Sequence, residues 1–146
     1  MKVLFKAIAL LSLFAAMSGC GSAPKYDLTD GQWVLSSWMN DEGDEMVLTA
    51  NRPTLKFEAD GKVYGNAGCN DFNGRYEIDG EKILIDLGAM TLKLCMDMEA
   101  ENQMLKQIPN VVSFEIDGNQ MILLDPGKKE LFRFDNKVIE EEKAAE

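Results

Sequence analysis

The segment that most constrains the fold is residues 65–76, which read GNAGCNDFNGRY. It places Cys69 among glycine and asparagine residues, between two stretches that alternate like β-strands. Glycine and asparagine adopt positive φ at low energetic cost, so this run predicts a tight and specific backbone corner. A second cysteine, Cys95, ends the next apolar segment at residues 91–95, which read TLKLC. The two cysteines therefore mark the point around which the rest of the chain is arranged.

Alternating apolar residues and turn signals occupy most of the chain between residues 32 and 135. Three Asp-Gly pairs predict tight hairpin turns, at Asp60-Gly61, Asp79-Gly80 and Asp117-Gly118. In the first predicted strand, residues 32–39, alternation places Trp33 and Leu35 on one face and Trp38 on the other. The whole pattern predicts seven or eight antiparallel strands.

Residues 96–108 change to helical spacing, and Pro109 follows as a helix-ending residue. Asp97 is the predicted N-cap of this helix. With the strands, the helix predicts an α+β domain in which a small antiparallel sheet packs on one main helix. Methionines around the helix either fill the core, which we favour, or line an adaptable apolar groove: Met90, Met96, Met98 and Met104.

Residues 1–19 have the features of an export signal, because two lysines precede an apolar run too short to cross a membrane. The signal ends in Met-Ser-Gly-Cys, which resembles the bacterial lipobox, where the cysteine becomes the lipidated first residue. We predict lipidation of Cys20, whereas an ordinary cleaved signal would leave this cysteine incidental. Gly21 stands where aspartate is associated with inner-membrane retention, so the pattern indicates the outer membrane. Residues 20–27 are then the lipidated cysteine and a short tether.

The charge balance restricts the possible partners. The chain has 15 Lys and Arg against 25 Asp and Glu, and removing Lys2 and Lys6 with the signal leaves 13 against 25, a net charge near −12. Such a surface repels phosphate backbones and anionic headgroups, which argues against nucleic acid and favours basic partners. The alternative, which we favour, is that this charge simply keeps the protein soluble.

Histidine is absent from the chain. Its absence excludes Ser-His-Asp and Cys-His catalysis and the zinc sites that depend on histidine. We therefore predict that the protein is not an enzyme and has no catalytic residue, no cofactor and no metal. The acidic loop at residues 40–45 invites a calcium interpretation, but its spacing does not match that of a calcium-binding EF-hand loop.

Cys69 and Cys95 allow three interpretations: a disulfide, a redox pair or half of a metal site. Two sulfurs without histidine make a poor zinc site, and a redox pair usually has Cys-x-x-Cys spacing near basic groups. Export to an oxidising compartment favours a structural disulfide, which is our prediction. In the chain-entropy account, closing this loop stabilises the fold by roughly 3–4 kcal/mol.

Three polar residues, Asn70, Thr91 and Glu101, stand close to the cysteines or at the approach to the helix. They form either a small polar site or a set of side chains that satisfy buried backbone groups at an irregular corner. Because we identify neither a nucleophile nor a base among them, we favour the structural interpretation.

The order of these residues resembles the META domain, the family of the bacterial heat-inducible lipoprotein HslJ. The specific part is Gly65-x-x-Gly68-Cys69-Asn70-x-Phe72-x-Gly74-x-Tyr76, followed by Thr91-x-x-x-Cys95. Further matching positions are Trp33-x-Leu35, Pro53-x-Leu55-x-Phe57, Glu101-x-x-Met104-Leu105 and Leu123-x-Asp125. The resemblance covers residues 28–135, which leaves residues 136–146 as an acidic tail.

The resemblance implies a half-open barrel of antiparallel strands against a helix, and a role in stress tolerance, including heat shock. The function we favour is a non-catalytic binding module that holds an apolar ligand, a peptide or a basic protein at the outer membrane. Its domain would face the periplasm. Two alternatives stay open: a structural stress lipoprotein with no defined ligand, and an inhibitor of a cationic lysozyme-like enzyme.

Overall fold

The computed structural model of the protein describes residues 27–137. The predicted signal at residues 1–19 and the predicted lipidation site, Cys20, lie outside the described residues, as do most of the tether and most of the acidic tail. Within residues 27–137 the chain forms nine β-strands and one α-helix.

The secondary structure follows the predicted order closely. The strands are β1 (Trp33–Met39), β2 (Glu45–Val47), β3 (Thr54–Phe57), β4 (Lys62–Asn66), β5 (Asp71–Asp79), β6 (Lys82–Met90), β7 (Ser113–Asp117), β8 (Gln120–Leu124) and β9 (Glu130–Asn136). The helix α1 (Glu99–Gln107) lies between β6 and β7 and continues into a 3-10 turn at Ile108–Asn110. The number of strands is one above the predicted range, and β9 includes Asn136, the first residue of the predicted tail.

All nine strands belong to one antiparallel sheet that curls into a ring. Strand β1 closes the ring, because it pairs with β3 at Trp33 and Val34 and with β9 along most of its length. The ring is incomplete between β6 and β7, which pair at one position, Lys82 with Ser113. The 3-10 turn after α1 lies against β6. The sheet is therefore a half-open barrel with one helix, which confirms the predicted α+β class.

The core fills the inside of the ring with aromatic and branched side chains. The strands contribute side chains that are almost completely buried: Trp33, Leu35, Leu55, Phe57, Val63, Leu123, Phe132 and Phe134. The helix contributes Ala100 and the fully buried Met104 to the same cluster. Burial of a side chain of this size stabilises the fold by about 1.5–3 kcal/mol, so Met104 contributes substantially to holding α1 on the barrel.

Strand β1 departs from the predicted alternation. The sequence places Trp38 on the face opposite Trp33, but the structure buries both in one cluster. A bulge between Leu35 and Ser37 in the pairing with β9 shifts the register. Because an extra residue reverses the facing of those that follow it, Trp38 turns inward. The prediction for Trp38 is wrong for this reason.

The helix begins later than predicted, at Glu99, and its N-cap is Met98 rather than Asp97. Asp97 still accepts a hydrogen bond on Oδ1 from the backbone N–H of Glu99 at 3.0 Å, so it satisfies one free donor of the first turn. Among the described residues, no helix is long and apolar enough to cross a membrane.

Gly74 allows β5 and β6 to approach more closely than any side chain would permit. A Cβ atom on Gly74 would overlap the carbonyl oxygen of Asp86 and would lie 2.6 Å from the carbonyl carbon of Leu87. Both contacts are with backbone atoms, so no side chain can move to relieve them. Gly65 meets the carbonyl group of Thr54 in the same way. These glycines are therefore required by the pairing of the strands.

We expect Gly74→Ala to lower the free energy of unfolding by about 3 kcal/mol, because the added methyl group displaces backbone. Gly127→Ala is the matched control, since its Cβ would meet only the side chain of Asp125, at 3.2 Å. Urea unfolding of both variants measures the difference. Equal stability of the two would contradict the close approach of β5 and β6.

Candidate functional site

The disulfide between Cys69 and Cys95 is present, with the two Cα atoms 6.0 Å apart, which confirms the predicted bridge. Cys69 lies in the corner between β4 and β5, and Cys95 lies in residues 91–98, which we call the β6–α1 loop. Gly68 holds the corner in a conformation that favours glycine, with a φ of +124°. Its N–H donates to Oδ1 of Asn66 at 2.7 Å. The disulfide thus joins a tight corner to a loop that is remote in sequence.

The carboxylate of Glu101 accepts three hydrogen bonds from the corner. Its Oε2 accepts from the backbone N–H of Cys69 at 3.1 Å and of Asn70 at 2.6 Å. Its Oε1 accepts from Nδ2 of Asn70 at 2.7 Å. Glu101 is only 4% exposed, although it lies in the first turn of α1. A buried carboxylate and buried N–H groups each require partners, so this arrangement satisfies both and connects the helix to the corner.

Asn70 extends the connection from the corner to the β6–α1 loop. Its Oδ1 accepts from the hydroxyl of Thr91 at 2.8 Å and from the backbone N–H of Lys93 at 2.6 Å. Its Nδ2 also donates to the carbonyl oxygen of Lys93 at 3.2 Å. The hydroxyl of Thr91 accepts in turn from the backbone N–H of Asp71 at 3.1 Å. The structure therefore brings Asn70, Thr91 and Glu101 into one network, whose other members are mainly backbone groups.

An ion pair lies on the outer side of this network. Nζ of Lys93 is 2.7 Å from Oδ2 of Asp71, and both side chains are more than half exposed. The hydrogen bonds from Lys93 and, to a smaller extent, from Asn66 lower the pKa of Asp71 below its usual value. Because the pair is exposed and screened by salt, it adds little to the stability of the loop.

The β6–α1 loop presents three large apolar side chains to solvent. Leu92, Leu94 and Met96 have relative exposures of 99%, 94% and 109%. The residues between them are the ones that are held: Lys93 through its backbone by Asn70, and Cys95 through its sulfur. Single exposed apolar residues are ordinary, but three on one covalently fixed loop are typical of an interaction surface.

The described residues leave a small cavity beside the corner. The cavity between the corner and the start of α1, lined in part by Trp38, Gly68 and Glu101, has a volume of about 30 Å³. Such a cavity can hold water, and it is far smaller than the roughly 300–1,000 Å³ that is typical of ligand pockets. In the part of the chain that the structure describes, no group of three or more Asp, Glu, Cys or His side chains is placed to hold a metal ion. What this arrangement can do is hold one loop in one conformation.

The methionines near α1 do not share one surface. Met104 is fully buried, Met90 packs against the core, and Met96 is fully exposed. Sequence reasoning missed the exposed loop, because it treated residues 91–95 only as an apolar segment that carries Cys95. The sequence did contain a pattern that could have predicted the exposed loop. After the end of β6, the apolar residues Leu92, Leu94 and Met96 alternate with Lys93 and Cys95.

The fold and the corner define a class: a half-open antiparallel barrel with one helix and a disulfide-held loop. The META domain family matches residues 26–138, and the chain belongs to this family. An NMR structure of a protein from Burkholderia xenovorans is similar, with a TM-score of 0.60 at 22% identity, covering 75% of this chain and 83% of that chain. A crystal structure of a DUF4847 family protein from Bacteroides vulgatus has a TM-score of 0.54 at 17% identity, covering 74% and 93%. At these identities the likeness shows the fold alone. A search of curated proteins finds no match.

We expect Glu101→Gln to lower the free energy of unfolding by about 1–3 kcal/mol, because its NH₂ group replaces an oxygen that accepts hydrogen bonds from buried donors. Glu99→Gln is the matched control in the same helical turn, on an exposed side chain, and should cost less than about 1 kcal/mol. Thermal or urea unfolding at neutral pH compares them. A loss for Glu101→Gln no larger than for Glu99→Gln would show that the network does not stabilise the corner.

Proposed function

We propose that this protein is a non-catalytic binding module, anchored at the outer membrane by lipid on Cys20, which docks a protein partner through the β6–α1 loop. The observation that carries the proposal is the full exposure of Leu92, Leu94 and Met96 on a loop that a disulfide holds in place. We extend to it the stress-related envelope role of the family that it resembles.

The loop is suited to docking because its conformation is fixed before a partner arrives. Ordering the backbone of one free residue costs about 1–2 kcal/mol, and here that cost is met during folding. Complete burial of one leucine side chain contributes about 1.5–3 kcal/mol. Three such side chains, placed together, supply the apolar centre that small protein interfaces use.

The chemistry around the loop favours a protein cleft over a membrane surface. Lys93 is the basic residue of the loop, and it is paired with Asp71. The carboxylates of Asp97 and Glu99 follow at the start of α1, and the whole chain has a net charge of −10. Anionic headgroups repel such a surface, whereas basic proteins are attracted to it. The expected partner therefore has an apolar cleft with a basic rim.

The chemistry of the titratable groups supports a non-catalytic role. An enzyme needs an activated nucleophile, a base or a metal. The chain contains no histidine, and Cys69 and Cys95 are joined to each other. Glu101, the buried carboxylate of the corner, is occupied by three N–H donors.

The lipid anchor is tested by Cys20→Ala in the full chain. We expect the variant to move from the membrane fraction to the soluble periplasmic fraction, because a lipidated first residue is the attachment that the signal sequence indicates. Fractionation followed by immunoblotting measures the shift. A variant that still sediments with membranes like the wild type would contradict the anchor.

The docking loop is tested by photo-crosslinking in the cell envelope with benzoylphenylalanine in place of Leu94. The matched control carries it in place of Leu84, a β6 side chain that is 61% exposed. We expect a discrete crosslinked partner from the loop position alone. With that partner purified, Leu94→Ser should weaken binding at least about tenfold, since burial of a leucine is lost, and Leu84→Ser should not.

Two results would contradict docking through the loop. One is an identical crosslinking pattern from positions 94 and 84. The other is an unchanged dissociation constant for Leu94→Ser. Because Leu94 is exposed in the free protein, the substitution should leave the melting temperature unchanged, so loss of binding would not reflect unfolding.

A further inference from the structure

Strand β7 leaves one edge free over most of its length. It pairs with β8 at all five of its residues, but with β6 only at Ser113. Beside that position, the N–H of Phe114 donates to the carbonyl oxygen of Glu81 at 3.0 Å. Backbone groups two residues apart on a strand face the same side, so the N–H and C=O of Ile116 point to this edge. Within residues 27–137 no strand pairs with the edge at Ile116.

The free edge is one wall of a groove of about 680 Å³. Leu28, the second described residue, and Ile78 of the β5–β6 hairpin form the other walls. Phe114 and Ile116 are half-buried against the core, and Ile78 is 45% exposed, so the floor is apolar. The volume lies within the range of about 300–1,000 Å³ that is typical of ligand pockets. The groove thus offers both unpaired backbone groups and apolar surface.

The charged residues that line the groove indicate which kind of molecule would bind there. Among residues 27–137, every charged residue that lines it is acidic: Asp27, Glu81, Glu115 and Asp117. In the described part of the chain, none of these four carboxylates forms an ion pair with a lysine or arginine. An occupant with lysine or arginine side chains would supply the missing partners, whereas an acidic one would be repelled.

We propose that a basic, extended segment of a partner protein adds to β7 as a further strand and fills this groove. Its backbone bonds with the N–H and C=O of Ile116, in the manner of peptides that extend a sheet. Its basic side chains face the carboxylates, and the apolar side chains between them enter the groove. The chain's own residues 138–146 carry four glutamates and one lysine, so charge opposes them as occupant.

This groove is separate from the β6–α1 loop, because no residue of the loop lines it. The inference therefore does not rest on docking through Leu94. Crosslinking from position 94 can fail while a basic strand still binds at β7. That result would contradict docking through the loop and would still support the groove as a binding site.

The test is an NMR titration of the isotope-labelled full-length protein with the peptide acetyl-Lys-Val-Lys-Val-Lys-amide. Two control peptides are acetyl-Glu-Val-Glu-Val-Glu-amide and the lysine sequence N-methylated at every residue, which removes the backbone N–H donors of its five residues. We expect the lysine peptide to shift the amide resonances of Phe114 and Ile116 and to slow exchange of the Ile116 amide. Both control peptides should bind at least tenfold more weakly.

Two variants sharpen the test. Glu115→Gln combined with Asp117→Asn should weaken the lysine peptide several-fold and reduce the salt dependence of its binding, because two carboxylates are neutralised. Leu94→Ser should leave peptide binding unchanged. All these side chains are exposed, so the fold should persist in each variant.

Several outcomes would overturn the proposal. They include equal binding of the methylated or the glutamate peptide, and amide shifts that do not include Ile116. An Ile116 amide protected in the free protein at every concentration would mean that the chain's own residues cover the edge. Protection that rises with protein concentration would mean that a second copy covers it. Either result would show that the edge is covered by this protein itself and not by a basic partner.

Discussion

The buried carboxylate of Glu101 is the interaction on which the corner and the loop both depend. It takes the N–H groups of Cys69 and Asn70, which a tight corner leaves without strand partners, and it also accepts from the side chain of Asn70. That last bond orients the side-chain amide of Asn70. The amide then accepts from the backbone N–H of Lys93 and donates to its carbonyl oxygen. An acidic residue is costly to bury unless donors surround it, and the corner supplies those donors.

This arrangement links three parts of the fold that are distant in sequence: the β4–β5 corner, the β6–α1 loop and the first turn of α1. The disulfide adds a covalent link between the first two. Met104 lies one turn further along the same face of α1 and is buried in the core, so two successive turns of the helix are held against the barrel. As a result, the loop is held through Lys93 and Cys95, and its other side chains, including Leu92 and Leu94, face solvent. Structure and proposed docking role therefore rest on the same contacts.

Sequence reasoning predicted the parts of the fold that local chemistry determines. The glycine and asparagine run predicted the corner, and the Asp-Gly pairs predicted the hairpins, because each of these signals acts within a few residues. The disulfide was predicted because the export signal indicates an oxidising compartment. Features set by distant pairing were missed. The bulge that turns Trp38 inward depends on β9, and the open edge at Ile116 depends on the single pairing of Lys82 with Ser113. Neither register is encoded in a local pattern.

Hydrogen exchange at the backbone N–H of Lys93 tests most directly whether the loop is held. This group donates to Oδ1 of Asn70 at 2.6 Å, although its residue lies in an exposed loop. In the oxidised protein, the account predicts exchange at least about a hundredfold slower than in a free peptide. With Cys69→Ser and Cys95→Ser combined, that protection should fall while the amides of β6 keep theirs. Exchange of the Lys93 amide at the free-peptide rate in the oxidised protein would contradict the claim that the loop is held before a partner binds.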